Sequence, residues 1–96
     1  MIYEWDAAKA RANLRKHKVS FAEAASVFLD PFAITYLDPD HSDEEDREIT
    51  IGSCSRKRAL FVSHCERGER IRIIGARKVT KKEQLQYEKR ISEESQ

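Results

Sequence analysis

The spacing of the apolar residues changes once along this chain. In the first part, Ala7, Ala10 and Leu14 recur at intervals of three and four, which is the spacing of one face of a helix. Later, apolar and polar residues alternate over 48–53 and 69–76, which is the spacing of a half-buried strand. The change predicts helices followed by a sheet, and so a domain of the α+β class.

Local signals predict where the helices begin. Asp6 precedes the first helical stripe and can act as its N-cap. Ser20 and Glu23 have the spacing of a capping box, in which each side chain bonds to the backbone N–H of the other. Thr80 and Glu83 repeat that spacing. The predicted order is a strand at 2–5, helices at 7–17 and 20–29, strands at 33–37, 48–53, 59–66 and 69–76, and a helix at 80–91.

A chain of 96 residues has room for one thin core, and we expect residues 1–96 to form a single domain. The two amphipathic helices must then cover one face of an antiparallel sheet. The strand isoleucines are expected to face these helices and the intervening residues to face away: Ile49, Ile51, Ile71 and Ile73 inward, and Thr50, Arg70 and Arg72 outward.

A tight turn joins the last two predicted strands. A two-residue turn at Arg67-Gly68 places His64 on the covered face and Cys65 beside the arginines of the open face. Since side chains alternate along a strand, a slip of one residue would reverse both assignments. The predicted opposed pairs are Glu66 with Glu69, His64 with Ile71, and Ser63 with Arg72.

The formal net charge of +1 hides an uneven distribution. Residues 38–48 hold seven acidic residues and one basic residue, a sum of −6, which leaves +7 for the rest of the chain. Residues 56–90 alone carry 12 Lys or Arg against four Glu. A basic region of this kind indicates an anionic partner, although a solvated loop and solvated helix faces would give the same counts.

The predicted open face is basic. Arg70 and Arg72 are two residues apart on a strand, so their side chains lie on one side, about 7 Å apart, close to the spacing of phosphates in single-stranded nucleic acid. Guanidinium forks suit phosphate because they donate two parallel hydrogen bonds. The pattern fits an RNA groove, but alternating Arg and Ile also describes any half-exposed strand. In an open groove, we expect the acidic residues 43–46 to lie away from Arg70 and Arg72.

The sequence carries no signal for a membrane segment, for secretion or for a bound cofactor. It has neither an apolar window of about 18 residues nor a signal peptide, so we expect a cytoplasmic protein with reduced Cys54 and Cys65. These cysteines lack zinc-site spacing, and three glycines are too few for a phosphate-binding loop. We therefore expect no metal and no cofactor.

RNA cleavage through the 2′-hydroxyl needs a base, an acid and positive charge at the phosphate, and it needs no metal. The candidate proton carriers are His17, His64, Glu66 and Tyr87. Ordinary structural roles are also open: His17 would favour a helix end through the dipole, His64 would be a core histidine, and Glu66 would form a surface ion pair. The residues alone do not decide whether the domain is an enzyme.

Longer motifs resemble the BrnT toxins of type II toxin–antitoxin modules, over about residues 2 to 88. The most specific piece is the run from Glu66 to Lys78, ERGERIRIIGARK. The other matching pieces are Tyr3-Glu-Trp-Asp6, Lys9, Asn13, Lys16-His-Lys-Val-Ser-Phe21, Ala24-Ala25, Phe28-Leu-Asp-Pro31, Asp38 to Arg47, Ile49-Thr-Ile-Gly52, Glu83 and Tyr87.

The resemblance implies a RelE-like fold and a metal-independent endoribonuclease that stalls growth by cutting RNA. It also implies a partner, a BrnA antitoxin with a ribbon-helix-helix part, and a complex that binds operator DNA. His17 or Glu66 would then act as acid or base, while two arginines stabilise the phosphate. On this hypothesis the catalytic residues are His17, Glu66, Arg72 and Arg77, and the RNA-binding residues are Lys9, Lys16, Arg70 and Lys78.

Two positions depart from the family pattern. Lys18 stands where a glycine is usual, at the end of the first helix, so it must adopt a strained left-handed conformation or end the helix differently. Gly75 stands where a serine is common, which could loosen the strand end that holds Arg77.

A second hypothesis is a non-catalytic module that binds nucleic acid or protein through the basic sheet face. A third is that the basic surface mainly docks an antitoxin whose acidic segment shields the arginines. Growth arrest with fragmented cellular RNA would favour the enzyme, whereas harmless expression with salt-dependent RNA retention would favour the binding module.

Overall fold

A computed structural model describes residues 1–40 and 46–94 of the chain. Its elements follow the predicted order, although the second helix is shorter than predicted and continues as a 3-10 helix. The expectation for the acidic residues 43–46 falls mostly outside the described residues. In chain order the elements are β1 (Ile2–Glu4), α1 (Ala7–His17), α2 (Phe21–Ala25), a 3-10 helix (Ser26–Leu29), β2 (Ile34–Leu37), β3 (Arg47–Ser53), β4 (Ala59–Arg67), β5 (Arg70–Lys78) and α3 (Lys81–Glu94).

The five strands form one sheet in the order β1-β5-β4-β3-β2. Neighbouring strands pair antiparallel as expected, except that β1 runs parallel to β5, with Ile2 opposite Arg70 and Glu4 opposite Arg72. Parallel partners need a long connection, and here both helices and three strands lie between them. The predicted α+β class is confirmed. No helix among the described residues is long and apolar enough to cross a membrane.

The main core lies between the sheet and the two N-terminal helices, as predicted. Ala10 of α1 and Phe28 of the 3-10 helix pack against it from the helix side. The fully enclosed side chains come from the loop after α1, from α2 and the 3-10 helix, and from β4 and β5. They include Val19, Phe21, Ala24, Val27, Leu60, Val62, Ile73 and Ala76.

The opposite face of the sheet is partly covered by α3, so β3 is buried on both sides. Ile49 and Ile51 pack with Tyr87 of α3 on this second face. Thr50 lies between them on the first face and is 1% exposed. The prediction that these isoleucines face α1 and α2 while Thr50 points outward is therefore wrong. Thr50 is tolerated in the interior because its hydroxyl bonds to Thr35 Oγ1 at 2.8 Å.

The β4–β5 turn lies one residue later than predicted. Arg67 pairs with Arg70, so the turn residues are Gly68 and Glu69, and Gly68 has a φ of +63°. A glycine in the first position of a two-residue turn is typical of type II′. Moving the turn by one residue shifts every opposed pair by two, so the predicted pairs are wrong but the faces are preserved. The observed pairs are Cys65 with Arg72, His64 with Ile73 and, beyond a bulge, Ser63 with Gly75.

His64 is a core histidine, which is one of the two roles considered for it. Its side chain is 2% exposed, and its ring packs edge-on against Phe28 with the centroids 4.9 Å apart. Nε2 lies 2.7 Å from Thr50 Oγ1, while Nδ1 has no hydrogen-bond partner among the described residues. Burial lowers the pKa of His64 to about 4, so the ring is neutral near pH 7.

Tyr87, another candidate proton carrier, instead holds α3 to the sheet. Its hydroxyl donates to the carboxylate of Asp30, which also accepts from the backbone N–H of Phe32 at 2.9 Å and of Ser53 at 2.8 Å. Burial and the bond to Asp30 raise the pKa of Tyr87 to about 12. Gly52 leaves room for this junction, because a Cβ there would lie 3.3 Å from Asp30 Oδ2.

One of the two predicted capping boxes is only half formed. Ser20 Oγ accepts from the N–H of Glu23 at 3.0 Å, but the Glu23 side chain does not return to the cap. Its carboxylate instead accepts from Arg58 Nη2 at 2.7 Å and from the Cys54 thiol at 2.9 Å. A buried carboxylate is stabilised more by a guanidinium than by one backbone N–H, which explains the difference.

Candidate active site

The second half of β5 is an edge of the sheet, because β1 pairs only with residues 70–72. Asn13 of α1 takes the place of a strand there. Its Nδ2 donates to the carbonyl of Ala76 at 2.9 Å, and its Oδ1 accepts from the N–H of Ala76 at 3.1 Å. Nδ2 also donates to the carbonyl of Val19 at 3.0 Å. These bonds pair the backbone N–H and carbonyl of Ala76 at the sheet edge, and they fix the last turn of α1 beside β5.

This arrangement brings two predicted catalytic residues together. His17, the last residue of α1, and Arg77, near the end of β5, line one groove of about 180 Å³. Both side chains are half-buried. The other residues that line the groove are Asn13, Phe61, Ser63, Gly75 and Ala76.

The guanidinium of Arg77 is held on two sides. It lies over the ring of Phe61, with Cζ 3.7 Å from the ring centroid. Its two terminal nitrogens donate to the two carboxylate oxygens of Glu83, at 2.8 and 3.0 Å. Hydrogen bonds from Arg77 lower the pKa of Glu83, so the pair is ionised at neutral pH.

The predicted RNA-binding lysines do not line this groove, but they lie on α1 and at the end of β5, the two elements that border it. Asn13 faces β5, and Lys9 and Lys16 are four residues before it and three after it, so they share its side of the helix. Both lysines are exposed, as is Lys78 at the end of β5. Exposed cationic side chains are therefore present on both elements that border the groove.

Arg70 and Arg72 lie on the sheet face away from α1 and α2, as predicted, because they alternate with the buried Ile71 and Ile73. Arg70 Nη1 is 3.7 Å from Glu4 Oε2, an exposed pair of little energetic weight. Five residues of strand separate Arg72 from Arg77, roughly 16 Å at 3.3 Å per residue. Arg70 and Arg72 therefore extend the basic surface and do not line the groove.

Glu66, the other predicted acid or base, is not near His17. It lies five residues beyond Phe61 on β4, roughly 16 Å along the strand. There it lines a separate depression of about 640 Å³ with two further acidic residues, Asp46 and Glu48. The structure thus separates the two candidate proton carriers.

Three residues that shape the groove were not predicted as functional. Asn13 carried a detectable signal, since asparagine is a poor helix former in a helix interior. Phe61 looked like an ordinary residue of an apolar strand, and Glu83 was explained by its capping box. Their roles depend on contacts between distant parts of the chain.

One comparison with known proteins identifies a family. A family model described as the ribonuclease toxin BrnT of type II toxin–antitoxin systems matches residues 5–83. A comparison with curated proteins found no match. Among solved structures, the crystal structure of the Brucella abortus ribonuclease toxin BrnT is similar, with a TM-score of 0.66 and 21% sequence identity over 84% of this chain and 100% of that chain. The structural likeness shows the fold. Because the family model spans most of the chain, this protein belongs to the BrnT family of ribonuclease toxins of type II toxin–antitoxin systems.

Proposed function

We propose that this protein is a metal-independent endoribonuclease and that the groove between His17 and Arg77 is its active site. The observation that supports this most directly is the presence of an imidazole and a guanidinium in one groove, although they are far apart in the sequence. An imidazole can accept and donate a proton, and a guanidinium stabilises a charged phosphate.

The proposed reaction uses the 2′-hydroxyl of RNA as the nucleophile. His17 takes the proton of this hydroxyl as its oxygen bonds to phosphorus. The bond from phosphorus to the 5′ oxygen breaks, that oxygen takes a proton from water, and His17 releases its own proton to the solvent. Arg77 donates to the phosphate oxygens while negative charge accumulates on them. The products are a 2′,3′-cyclic phosphate and a 5′-hydroxyl.

We propose His17 as the proton carrier in preference to Glu66. Glu66 shares its depression with Asp46 and Glu48, where a phosphate would meet like charge. Arg72 and Arg70 are proposed to bind the RNA strand as it leaves the groove along β5, and Lys9, Lys16 and Lys78 to bind it near the groove. Electrostatic contacts of this kind do not depend on base sequence.

We further propose that a BrnA-like antitoxin with a ribbon-helix-helix part neutralises the toxin in the cytoplasm, and that the complex binds operator DNA. Membership of a type II toxin family supports a protein antitoxin. Co-expression with the product of a neighbouring ribbon-helix-helix gene should restore growth. A neighbouring gene of that class that gave no rescue would contradict this part of the proposal.

The activity is tested by incubating purified protein with RNA in EDTA and analysing the ends of the products. We expect fragments with 2′,3′-cyclic phosphate and 5′-hydroxyl ends. Intact RNA with folded protein would reject the proposal, and salt-dependent retention of that intact RNA would favour the non-catalytic binding module instead.

A further inference from the structure

We propose that Glu83 is a positioning residue for Arg77, and that it holds one end of the guanidinium so that the side of the group faces the phosphate. The inference rests on the proposed function, because it names a residue that acts through the proposed phosphate contact. Neither the family description nor the sequence pattern gives Glu83 this role.

The hydrogen bonds of Arg77 leave one pair of adjacent N–H donors of its guanidinium unused. A guanidinium has five N–H donors. Nη1 donates to Glu83 Oε1 at 2.8 Å and to the Lys78 carbonyl at 3.1 Å, and Nη2 donates to Glu83 Oε2 at 3.0 Å. The remaining donors, Nε–H and the second N–H of Nη2, are adjacent and parallel. No described residue accepts from them, and this geometry matches two oxygens of a phosphate.

Glu83 is itself fixed from its own side. Its Oε1 accepts from the Thr80 N–H at 2.8 Å, and its own N–H donates to Thr80 Oγ1 at 3.2 Å. Tyr87, one turn later, is bonded to Asp30. The carboxylate therefore belongs to the anchored start of α3 and is an immobile hydrogen-bond acceptor for Arg77.

Two contacts together restrict the motion of Arg77. The ring of Phe61 lies against one flat side of the guanidinium, and Glu83 holds its end. An arginine side chain that is already ordered loses less entropy when it binds a ligand. A catalytic donor that is displaced by even about 1 Å can cost a hundredfold in rate. This makes the ion pair an orienting device, even though it neutralises part of the charge of Arg77.

A competing interpretation is that Glu83 blocks Arg77 and that RNA must displace it. The two interpretations predict opposite effects of Glu83→Gln. If Glu83 orients Arg77, loss of the carboxylate slows cleavage and leaves binding nearly unchanged. If Glu83 blocks Arg77, the same change speeds cleavage and tightens RNA binding, because a negative charge leaves the groove.

The test compares Glu83→Gln with Glu88→Gln. Glu88 also lies on α3 but is exposed and bonds to Gln84, so its substitution makes the same chemical change without removing a contact of Arg77. We expect single-turnover cleavage to fall at least about tenfold in Glu83→Gln, while its affinity for a non-cleavable 2′-O-methyl RNA changes less than about threefold. Glu88→Gln should keep its rate within about twofold of the wild type.

A spectroscopic measurement separates orientation from simple stability. The ¹⁵N–¹H resonance of Arg77 Nε, assigned with Arg77→Lys, should shift when 2′-O-methyl RNA is added to the wild type and should be weaker or exchange-broadened in Glu83→Gln. Equal rate losses in Glu83→Gln and Glu88→Gln, a faster Glu83→Gln enzyme, or an Nε resonance unchanged by RNA would each overturn the inference. If wild-type protein cleaves RNA and Arg77→Ala does not, such a result leaves the proposed function intact. Failure of that function appears separately, as an inactive wild type.

Discussion

The side-chain amide of Asn13 bonds to both backbone groups of Ala76, so that one residue of a helix completes the edge of a strand. It also donates to the carbonyl of Val19. The proposed active site depends on these bonds, because they hold the end of α1, and with it His17, beside β5.

Asn13→Ala should therefore lower both stability and activity. Loss of three partly buried hydrogen bonds should reduce the free energy of unfolding by about 2–3 kcal/mol, measured by urea denaturation. Asn13→Asp is the matched control. Its side chain can still accept from Ala76 N–H but cannot donate to the two carbonyls, so this variant should also be less stable than the wild type. A loss below about 0.5 kcal/mol in both variants would contradict the role of this edge contact.

His64 should make stability depend on pH between about 6.5 and 4. In the unfolded chain its pKa is near 6.5, whereas in the folded protein it is about 4. The unfolded state therefore binds the proton first as the pH falls, and stability is lost at up to about 1.4 kcal/mol per pH unit. Below pH 4 this contribution is constant. Urea denaturation at several pH values should show this slope in the wild type and not in His64→Gln, and equal slopes would contradict the prediction.

Lys18 adopts the left-handed conformation, with a φ of 61° and a ψ of 31°. This was one of the two ways of ending α1 that the sequence allowed. A side chain in this region costs about 1–2 kcal/mol. Lys18→Gly should remove that cost. Glycine also makes the unfolded chain more flexible, which costs part of the gain, so the net increase in stability should be about 0.5–1 kcal/mol. Lys18→Ala should give no such gain. A thermal melt that shows equal shifts for both variants would contradict the explanation.

Tyr87→Phe should separate the structural role of Tyr87 from a catalytic one. The ring remains in the core, but the bond to Asp30 is lost, so stability should fall by about 1–2 kcal/mol. Cleavage by the folded variant should stay within about twofold of the wild type, since the hydroxyl is bonded to Asp30 and Tyr87 does not line the groove. A hundredfold loss of activity without unfolding would return Tyr87 to the list of proton carriers.

The helix starts were predictable because caps act over a few residues. Asp6 accepts from the Lys9 N–H at 2.9 Å, and Thr80 and Glu83 form the reciprocal box. The face of β3 was not predictable, since an Ile-Thr-Ile alternation is the same whichever helix covers it. The answer depends on where α3 docks, and α3 docks through Tyr87 and Ile91 against the side of β3 that carries Ile49 and Ile51.

The members of the proposed active site were easier to predict than their arrangement. His17 and Arg77 were both candidates, but their proximity follows from β5 extending beyond β1 and from the bonds of Asn13 to Ala76. Glu66 was an equal candidate by residue type. Only the direction of β4 places it at the other end of the sheet.

The groove between His17 and Arg77 is proposed to cleave RNA without a metal. The most direct test is the single-turnover rate in EDTA for His17→Ala and Arg77→Ala, with Arg56→Ala as a matched control. Arg56 is an exposed arginine that does not line the groove, and its loss changes the net charge as much as the loss of Arg77 does. We predict a fall of at least about a hundredfold in the two groove variants and less than about threefold in the control. Equal rates in all three variants, with the wild type active, would show that cleavage takes place elsewhere.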